Sequence, residues 1–219
     1  MAICEIEGIQ LREKILPIVN FSIEVFKTIL DVIRQNSKLL DLYNTTAITC
    51  FDYIQRLRAK KLYKKISDTL HSHFKQILDS SKVLPDANKI PFPVDLNEDE
   101  TLKKVLSMRT RQLEYGLNLE EWQDAFRTSE SVYSLVNKQS SQINKIKPIL
   151  QDFYKKLGII FWQNKFQLFY AYAFFNFQTI LKQNKTTTAE EKLKVSQEFI
   201  LACLSIPLSN HISNFERLT

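Results

Sequence analysis

The scarcity of glycine is the feature that most restricts the fold of this chain. Glycine occurs at three of 219 positions, whereas average usage of about 7% would place about 15. Glycine serves where the backbone turns with positive φ or approaches a ligand closely. So few glycines argue against phosphate-binding loops and against strand-rich folds with many tight turns. Long helices joined by short polar turns need few glycines, and we therefore predict an all-α fold.

Apolar residues recur at helical spacing through most of the chain. Three stripes precede a proline-rich stretch: Ile18, Phe21, Val25, Ile29 and Val32; Leu40, Tyr43, Ala47, Cys50, Ile54 and Leu57; and Leu62, Ile66, Leu70, Phe74 and Ile77. Others follow it, among them Leu119, Trp122, Phe126, Val132 and Val136. Short connections force neighbouring helices to run antiparallel. We therefore expect antiparallel helix pairs that stack as a solenoid.

Helix starts are predicted from capping residues. A capping side chain with Glu three positions later is typical of a helix N-terminus. Pairs of this kind are Asn97 with Glu100, Asn118 with Glu121, and Thr188 with Glu191.

A shift in composition divides the chain. Three of the six prolines, Pro85, Pro91 and Pro93, lie close together, and proline removes a backbone donor and disfavours helix in the preceding residue. We predict N-terminal helices in residues 1–80, a proline-rich linker or loop in residues 81–97, and a helical-repeat segment in residues 98–219.

Cysteine usage and hydropathy indicate an intracellular chain that does not enter a membrane. The chain has three widely spaced cysteines, Cys4, Cys50 and Cys203. An odd number at this spacing suggests neither a disulfide framework nor a zinc site. The N-terminus lacks the charge and apolar run of a signal peptide. From Gly158 to Leu181 the only charge is Lys165, but amide side chains interrupt this run. We interpret it as two helices that meet near Asn164.

One basic stretch concentrates the charge of the chain. Between Ile54 and Lys75 there are seven basic residues and one acid, Asp68, so this stretch carries the same formal +6 as the whole chain. The candidate contacts for nucleic acid or the ribosome are Arg56, Arg58, Lys60, Lys61, Lys64 and Lys65. They could form a phosphate-binding edge, with contacts that are salt-sensitive and independent of sequence. The alternative interpretation is a solvated helix face with flexible lysines.

No catalytic, cofactor or metal site is predicted. His71 and His73 stand two positions apart, whereas two ligands on one helix face need a spacing of three or four. The chain has no serine elbow, P-loop or dinucleotide fingerprint. Cys50 lies within an apolar stripe, where a thiol packs and stays unreactive. We therefore expect neither a cofactor nor an enzyme.

Aromatic residues are dense in the second half of the chain. The set comprises Trp122, Trp162, Phe161, Phe166, Phe169, Tyr170, Phe174 and Phe175. Core packing and packing between repeats is the first explanation. Any of the later members that face solvent would mark an interface, because large apolar patches rarely face water in monomers.

An ordered set of short motifs resembles one family, the large a-subunit of eukaryotic translation initiation factor 3. The resemblance runs from about Leu30 to Leu208. It is carried by VIRQNSKLLDLY, ISDTLHSHF, EEWQDAFRTSESVYSLV, FYKKLGIIFW, LFYA and ILACLSIPL, which begin at residues 32, 66, 120, 153, 168 and 200. The family pattern has a glycine in the turn near Asn164 and Lys165. This chain lacks it, which leaves the geometry of that turn open.

The resemblance implies a non-catalytic, cytoplasmic scaffold. Its fold would be a TPR-like, PCI-type right-handed helical solenoid, and residues 98–219 would lead into a truncated PCI module. The implied partners are the c-subunit of the factor, its b-subunit, small ribosomal subunit proteins, rRNA and mRNA.

The sequence is also compatible with two other classes of protein. A PCI-type subunit of the proteasome lid or the signalosome would share the helix pairs without needing a basic edge. An enzyme such as a helical transferase would need a cleft with convergent polar groups, and the sequence shows no such set.

Overall fold

The fold is described from a computed structural model, for residues 2–80, 92–138, 143–183 and 188–207. Within these ranges the chain forms eight α-helices and no strand, which confirms the all-α prediction. The helices are α1 (Ala2–Ile33), α2 (Leu40–Arg56), α3 (Lys60–Ser80), α4 (Asp99–Asn118), α5 (Trp122–Lys138), α6 (Ile143–Gln163), α7 (Gln167–Gln183) and α8 (Ala189–Leu204). A short 3-10 helix, Ser37–Leu39, precedes α2.

The chain forms two compact units, residues 1–145 and residues 146–219, called here the first and second unit. In the first unit, α2 packs on α4, α3 packs on α5, and α1 packs on both α2 and α3. The pair α2–α3 therefore stacks on the pair α4–α5. This is the arrangement of helix pairs that the sequence predicts for a solenoid.

The core of the first unit forms where small residues allow helices to approach closely. Phe51 of α2 lies between two tyrosines, with ring centroids 5.4 Å from Tyr63 and 5.1 Å from Tyr115. At Gly116 an added Cβ would lie 2.8 Å from the Tyr63 hydroxyl oxygen and 3.4 Å from the Cβ of Ala125. A side chain at Gly116 would therefore clash with the Tyr63 hydroxyl, and Tyr63 or α4 would have to move.

Helix α1 carries two apolar faces. Val19, Ile23, Leu30 and Ile33 are buried against α2 and α3. The stripe that the sequence shows most clearly faces solvent instead: Ile18, Phe21, Val25, Ile29 and Val32. The spacing of both sets is helical, so periodicity identifies the helix but does not say which face packs.

Three turns between paired helices share one backbone geometry. Each has one non-glycine residue at positive φ: Arg58 at 49°, Glu120 at 57° and Lys165 at 61°. The amide of the next residue donates to the carbonyl five residues earlier, which joins Ala59 to Ile54, Glu121 to Gly116, and Phe166 to Phe161. This is the Schellman pattern, which usually places glycine at the positive-φ position. The turn at Lys165 keeps the geometry without glycine.

We expect Glu120→Gly to raise the free energy of unfolding by about 1 kcal/mol, because a left-handed conformation costs an L residue roughly that much or more. Glycine adopts it freely. The matched control is Glu120→Ala, which removes the same carboxylate but keeps the Cβ. Urea unfolding of both variants measures the difference, and an equal change in the two would contradict the explanation.

The second unit consists of most of α6 with α7 and α8. Trp162 and Tyr170 have ring centroids 5.2 Å apart, and Phe161 and Phe169 lie 5.4 Å apart, so aromatic contacts join α6 to α7. An added Cβ at Gly158 would lie 3.2 Å from Phe174. Helix α7 packs on α8.

The predicted helix starts have mixed outcomes. Thr188 and Glu191 form the expected capping box at α8. The prediction at Asn97 is wrong because Glu98 is the N-cap of α4, and the Asn97 amide bonds to Asp95. The prediction at Asn118 is wrong because α4 continues through that residue.

The predicted linker is only partly described. Residues 81–91 lie outside the described residues. Val94 and Leu96 are buried, and the Phe92 carbonyl accepts from the Ser37 amide, so residues 92–97 pack onto the first unit. Among the helices within the described ranges, none has both the length and the apolar character needed to cross a bilayer.

Candidate nucleic-acid interface

The six predicted basic residues lie at one turn. Arg56 is the last residue of α2, Arg58 is the positive-φ residue of the turn, and the four lysines occupy the first two turns of α3. All six side chains are exposed. The structure therefore brings the predicted residues together at one end of the α2–α3 pair, which is called here the basic turn.

Two of these cations are neutralised within the fold. The Nζ atom of Lys60 lies 3.7 Å from a carboxylate oxygen of Glu120, across the α4–α5 turn. Lys65 forms a salt bridge with Glu24 of α1, and this contact lowers the pKa of Glu24 through the hydrogen bond and charge of the lysine. Both pairs are exposed, so each contributes little to stability.

The other four cations have no acidic partner among the described residues. Arg56, Arg58, Lys61 and Lys64 form no salt bridge there. Lys61 and Lys64 are three positions apart and lie on the same helix face. The basic turn thus presents four cations that remain available to a polyanion. The sequence alone could not distinguish these four from the two paired lysines.

The opposite side of α3 is buried in a polar network that the sequence pattern did not predict. The Tyr63 hydroxyl donates to the Gln112 carbonyl at 3.2 Å. The Gln112 side chain donates to the Ser67 hydroxyl at 2.7 Å, and that hydroxyl donates to Asp124 at 2.5 Å. Ser67, Gln112 and Asp124 are all buried. These bonds connect α3 to α4 and α5, and so fix the orientation of α3, which carries the four lysines of the basic turn.

Two arginines extend this network. Arg127 donates to Asp124 at 2.7 Å and to Asp68 at 2.5 Å. Arg109 is buried, donates to the Gln112 amide oxygen at 2.6 Å, and lies 4.2 Å from the centroid of the Phe74 ring. Burial lowers the pKa of Arg109 to about 10, and the nearby Asp124 carboxylate opposes that shift.

The two histidines of α3 contact different neighbouring helices, as expected for residues two positions apart on one helix. His73 is buried, with Nε2 2.7 Å from Asp31 of α1 and Nδ1 3.1 Å from the Tyr43 hydroxyl of α2. His71 faces α5, with Nε2 3.3 Å from the Thr128 hydroxyl. Both are packing residues that tie α3 to its neighbours.

Acidification is expected to destabilise the first unit through His71. Burial, followed by the charges of Arg109 and Arg127, lowers the pKa of His71 from 6.5 to about 4. The unfolded chain therefore binds the proton more tightly, and stability is lost as the pH falls from 6.5 towards 4. At 1.36 kcal/mol per pKa unit this amounts to about 3 kcal/mol. Urea unfolding across this range should show a shallower dependence for His71→Gln, and identical curves would refute the assignment.

Other candidate chemistry is accounted for by packing. Cys50 is buried, and burial raises the pKa of its thiol to about 12, so the reactive thiolate is not formed near neutral pH. Nowhere in the described part of the chain do three or more His, Cys, Asp or Glu side chains gather as possible ligands for a metal ion.

Comparison with known proteins identifies the family. The family model described as "eIF3a, PCI domain, TPR-like region" matches residues 7–217. The chain belongs to the a-subunit family of eukaryotic translation initiation factor 3. This membership supports the initiation factor over the proteasome lid and the signalosome, and it confirms the resemblance found in the sequence.

Relatives align along almost the whole chain. The a-subunit of eukaryotic translation initiation factor 3 from Nematostella vectensis is 28% identical over 210 residues, which are 94% of this chain and 21% of that protein. The a-subunit from Arabidopsis thaliana is 30% identical over 199 residues, which are 90% of this chain and 19% of that protein. The chain thus spans about one fifth of the length of these relatives.

Proposed function

We propose that this chain is a non-catalytic scaffold segment of translation initiation factor 3, which acts in the cytoplasm. It would help to assemble the factor with other subunits, such as its c-subunit or b-subunit, and to hold it on the small ribosomal subunit with its mRNA. Family membership supports the scaffold role. The stacked helix pairs support it too, because solenoids offer extended binding surfaces.

The basic turn is the proposed contact with rRNA. The observation that carries this proposal is that Arg56, Arg58, Lys61 and Lys64 have no acidic partner among the described residues, whereas the two adjacent lysines do. Cations without an acidic partner lose few internal contacts when they bind phosphate. Such contacts contribute affinity that is independent of base sequence and falls steeply with salt.

Co-sedimentation with purified small ribosomal subunits tests this function. We expect the chain to bind, and the logarithm of its binding constant to fall linearly with the logarithm of the salt concentration. Absence of binding at any salt concentration would remove the ribosome-contact proposal for this segment. Retained binding with a flat salt dependence would move the contact away from the basic turn and towards an uncharged surface.

A further inference from the structure

The turn between α6 and α7 contains a pocket that the proposed function does not use. Its volume is about 300 Å³, at the lower end of the range for small-molecule sites. Four aromatic side chains form its walls: Phe161, Trp162, Phe166 and Tyr170. The pocket lies wholly within the second unit.

Two of these aromatic rings face solvent, contrary to the core packing that the sequence suggested first. Trp162 is 59% exposed and Phe166 is 51% exposed. Trp162 packs against Tyr170, whose ring centroid is 5.2 Å away at an interplanar angle of 48°. Tyr170 is itself held by Phe174 at 4.7 Å. The indole ring is therefore exposed to solvent but rests on aromatic side chains that are packed against one another.

The remaining wall is polar and carries one charge. Gln163, Lys165 and Gln167 line the pocket, and no carboxylate does. Lys165 is exposed and forms no salt bridge among the described residues. Its positive φ of 61° fixes the direction in which its side chain leaves the turn.

These features fit a nucleic acid better than a polyproline peptide. Aromatic rings stack on bases of any sequence, and a nearby cation neutralises the backbone phosphate. A polyproline peptide also binds aromatic-lined grooves, but it offers Lys165 no charge to neutralise. We propose that the α6–α7 turn binds a nucleotide of single-stranded RNA, with its base stacked on Trp162 and its phosphate at Lys165. This site is independent of the contacts proposed for the basic turn.

Tryptophan fluorescence provides a local test, because the chain contains only two tryptophans. In a Trp122→Phe background, Trp162 is the sole indole. We expect an octauridylate to quench its emission, and an abasic oligonucleotide of equal length to leave it unchanged because that ligand has phosphates but no bases. Equal quenching by both ligands would overturn the stacking proposal. So would quenching by a proline-rich peptide but not by RNA, which would assign the pocket to a protein partner.

Substitutions test the two named contacts separately. Anisotropy of a labelled octauridylate should show that Trp162→Ala weakens binding by about tenfold or more, and that Trp162→Phe retains most of the affinity. Lys165→Gln should lower the salt slope by about one. Unchanged affinity in correctly folded Trp162→Ala would refute the site. Ribosome co-sedimentation of the same variants separates this result from the basic turn, because they leave Arg56, Arg58, Lys61 and Lys64 intact.

Discussion

Replacing Asp124 by alanine is expected to lower the free energy of unfolding of the first unit by about 3 kcal/mol, because two hydrogen bonds to a charged group are lost and a buried polar partner is left without its acceptor. Asp124 is buried and accepts hydrogen bonds from Ser67 and Arg127. Its charge also opposes the effect of burial on Arg109. Its removal leaves the buried Ser67 hydroxyl without an acceptor for its proton, although its oxygen still accepts from Gln112. It also removes a carboxylate whose charge favours the buried Arg109 guanidinium. Both defects carry a desolvation cost.

The measurement is urea unfolding followed by the fluorescence of Trp122, two residues from Asp124, in a Trp162→Phe background. Glu130→Ala serves as the control, because Glu130 is an exposed acid on the same helix, and its loss should change stability by no more than about 0.5 kcal/mol. Asp124→Asn removes the charge but keeps a hydrogen-bond acceptor and should lie between these two. A loss below about 1 kcal/mol for Asp124→Ala would show that the network is not needed to hold α3.

Neutralising the four unpartnered cations of the basic turn is expected to reduce the salt slope of ribosome binding by about three to four, because each phosphate contact by a basic side chain contributes about one to that slope. The variant carries Arg56→Gln, Arg58→Gln, Lys61→Gln and Lys64→Gln. Co-sedimentation with small ribosomal subunits across a salt series gives the slope directly. The largest loss of affinity should occur at low salt, where the contribution of the four contacts is greatest.

The chain supplies a matched control for this experiment. Lys61→Gln with Lys64→Gln removes two unpartnered cations, whereas Lys60→Gln with Lys65→Gln removes two that already face Glu120 and Glu24. Both double variants alter the net charge equally and lie on the same two helical turns. We expect the first to weaken binding more than the second. Equal losses would indicate long-range attraction by net charge, and no loss in either would leave these lysines as a solvated helix face.

The sequence predicted the class of fold well because helical spacing and scarce glycine are properties of local structure. It did not predict which side of α1 packs, because both faces carry apolar residues at the same spacing, and only the positions of α2 and α3 decide between them. The two wrong helix starts have a related cause. Asn97 and Asn118 match a local motif, but the hydrogen bonds of Asp95 and the continuation of α4 override it.

The sequence predicted that the six cations cluster, but it did not predict which of them form salt bridges. The partners of Lys60 and Lys65 lie at positions 120 and 24, and such distances along the chain carry no periodic signal. The buried network had a weak signal in the sequence. Ser67 lies between the apolar positions Ile66 and Leu70 of α3. A buried polar residue generally needs a buried partner, yet the identity of that partner depends on the packing of the helices.

Three of the positive-φ residues place side chains of different charge on turns that share one backbone geometry. Arg58, Glu120 and Lys165 occupy the same position in the same hydrogen-bonded turn. Glycine at any of these positions would keep the backbone geometry but remove a charge from the end of that helix pair. As it stands, the charge at this position alternates along the chain, positive at Arg58, negative at Glu120 and positive at Lys165. The same backbone turn therefore accepts either sign of charge, so the charge at the end of a helix pair can change without any change in how its helices are connected.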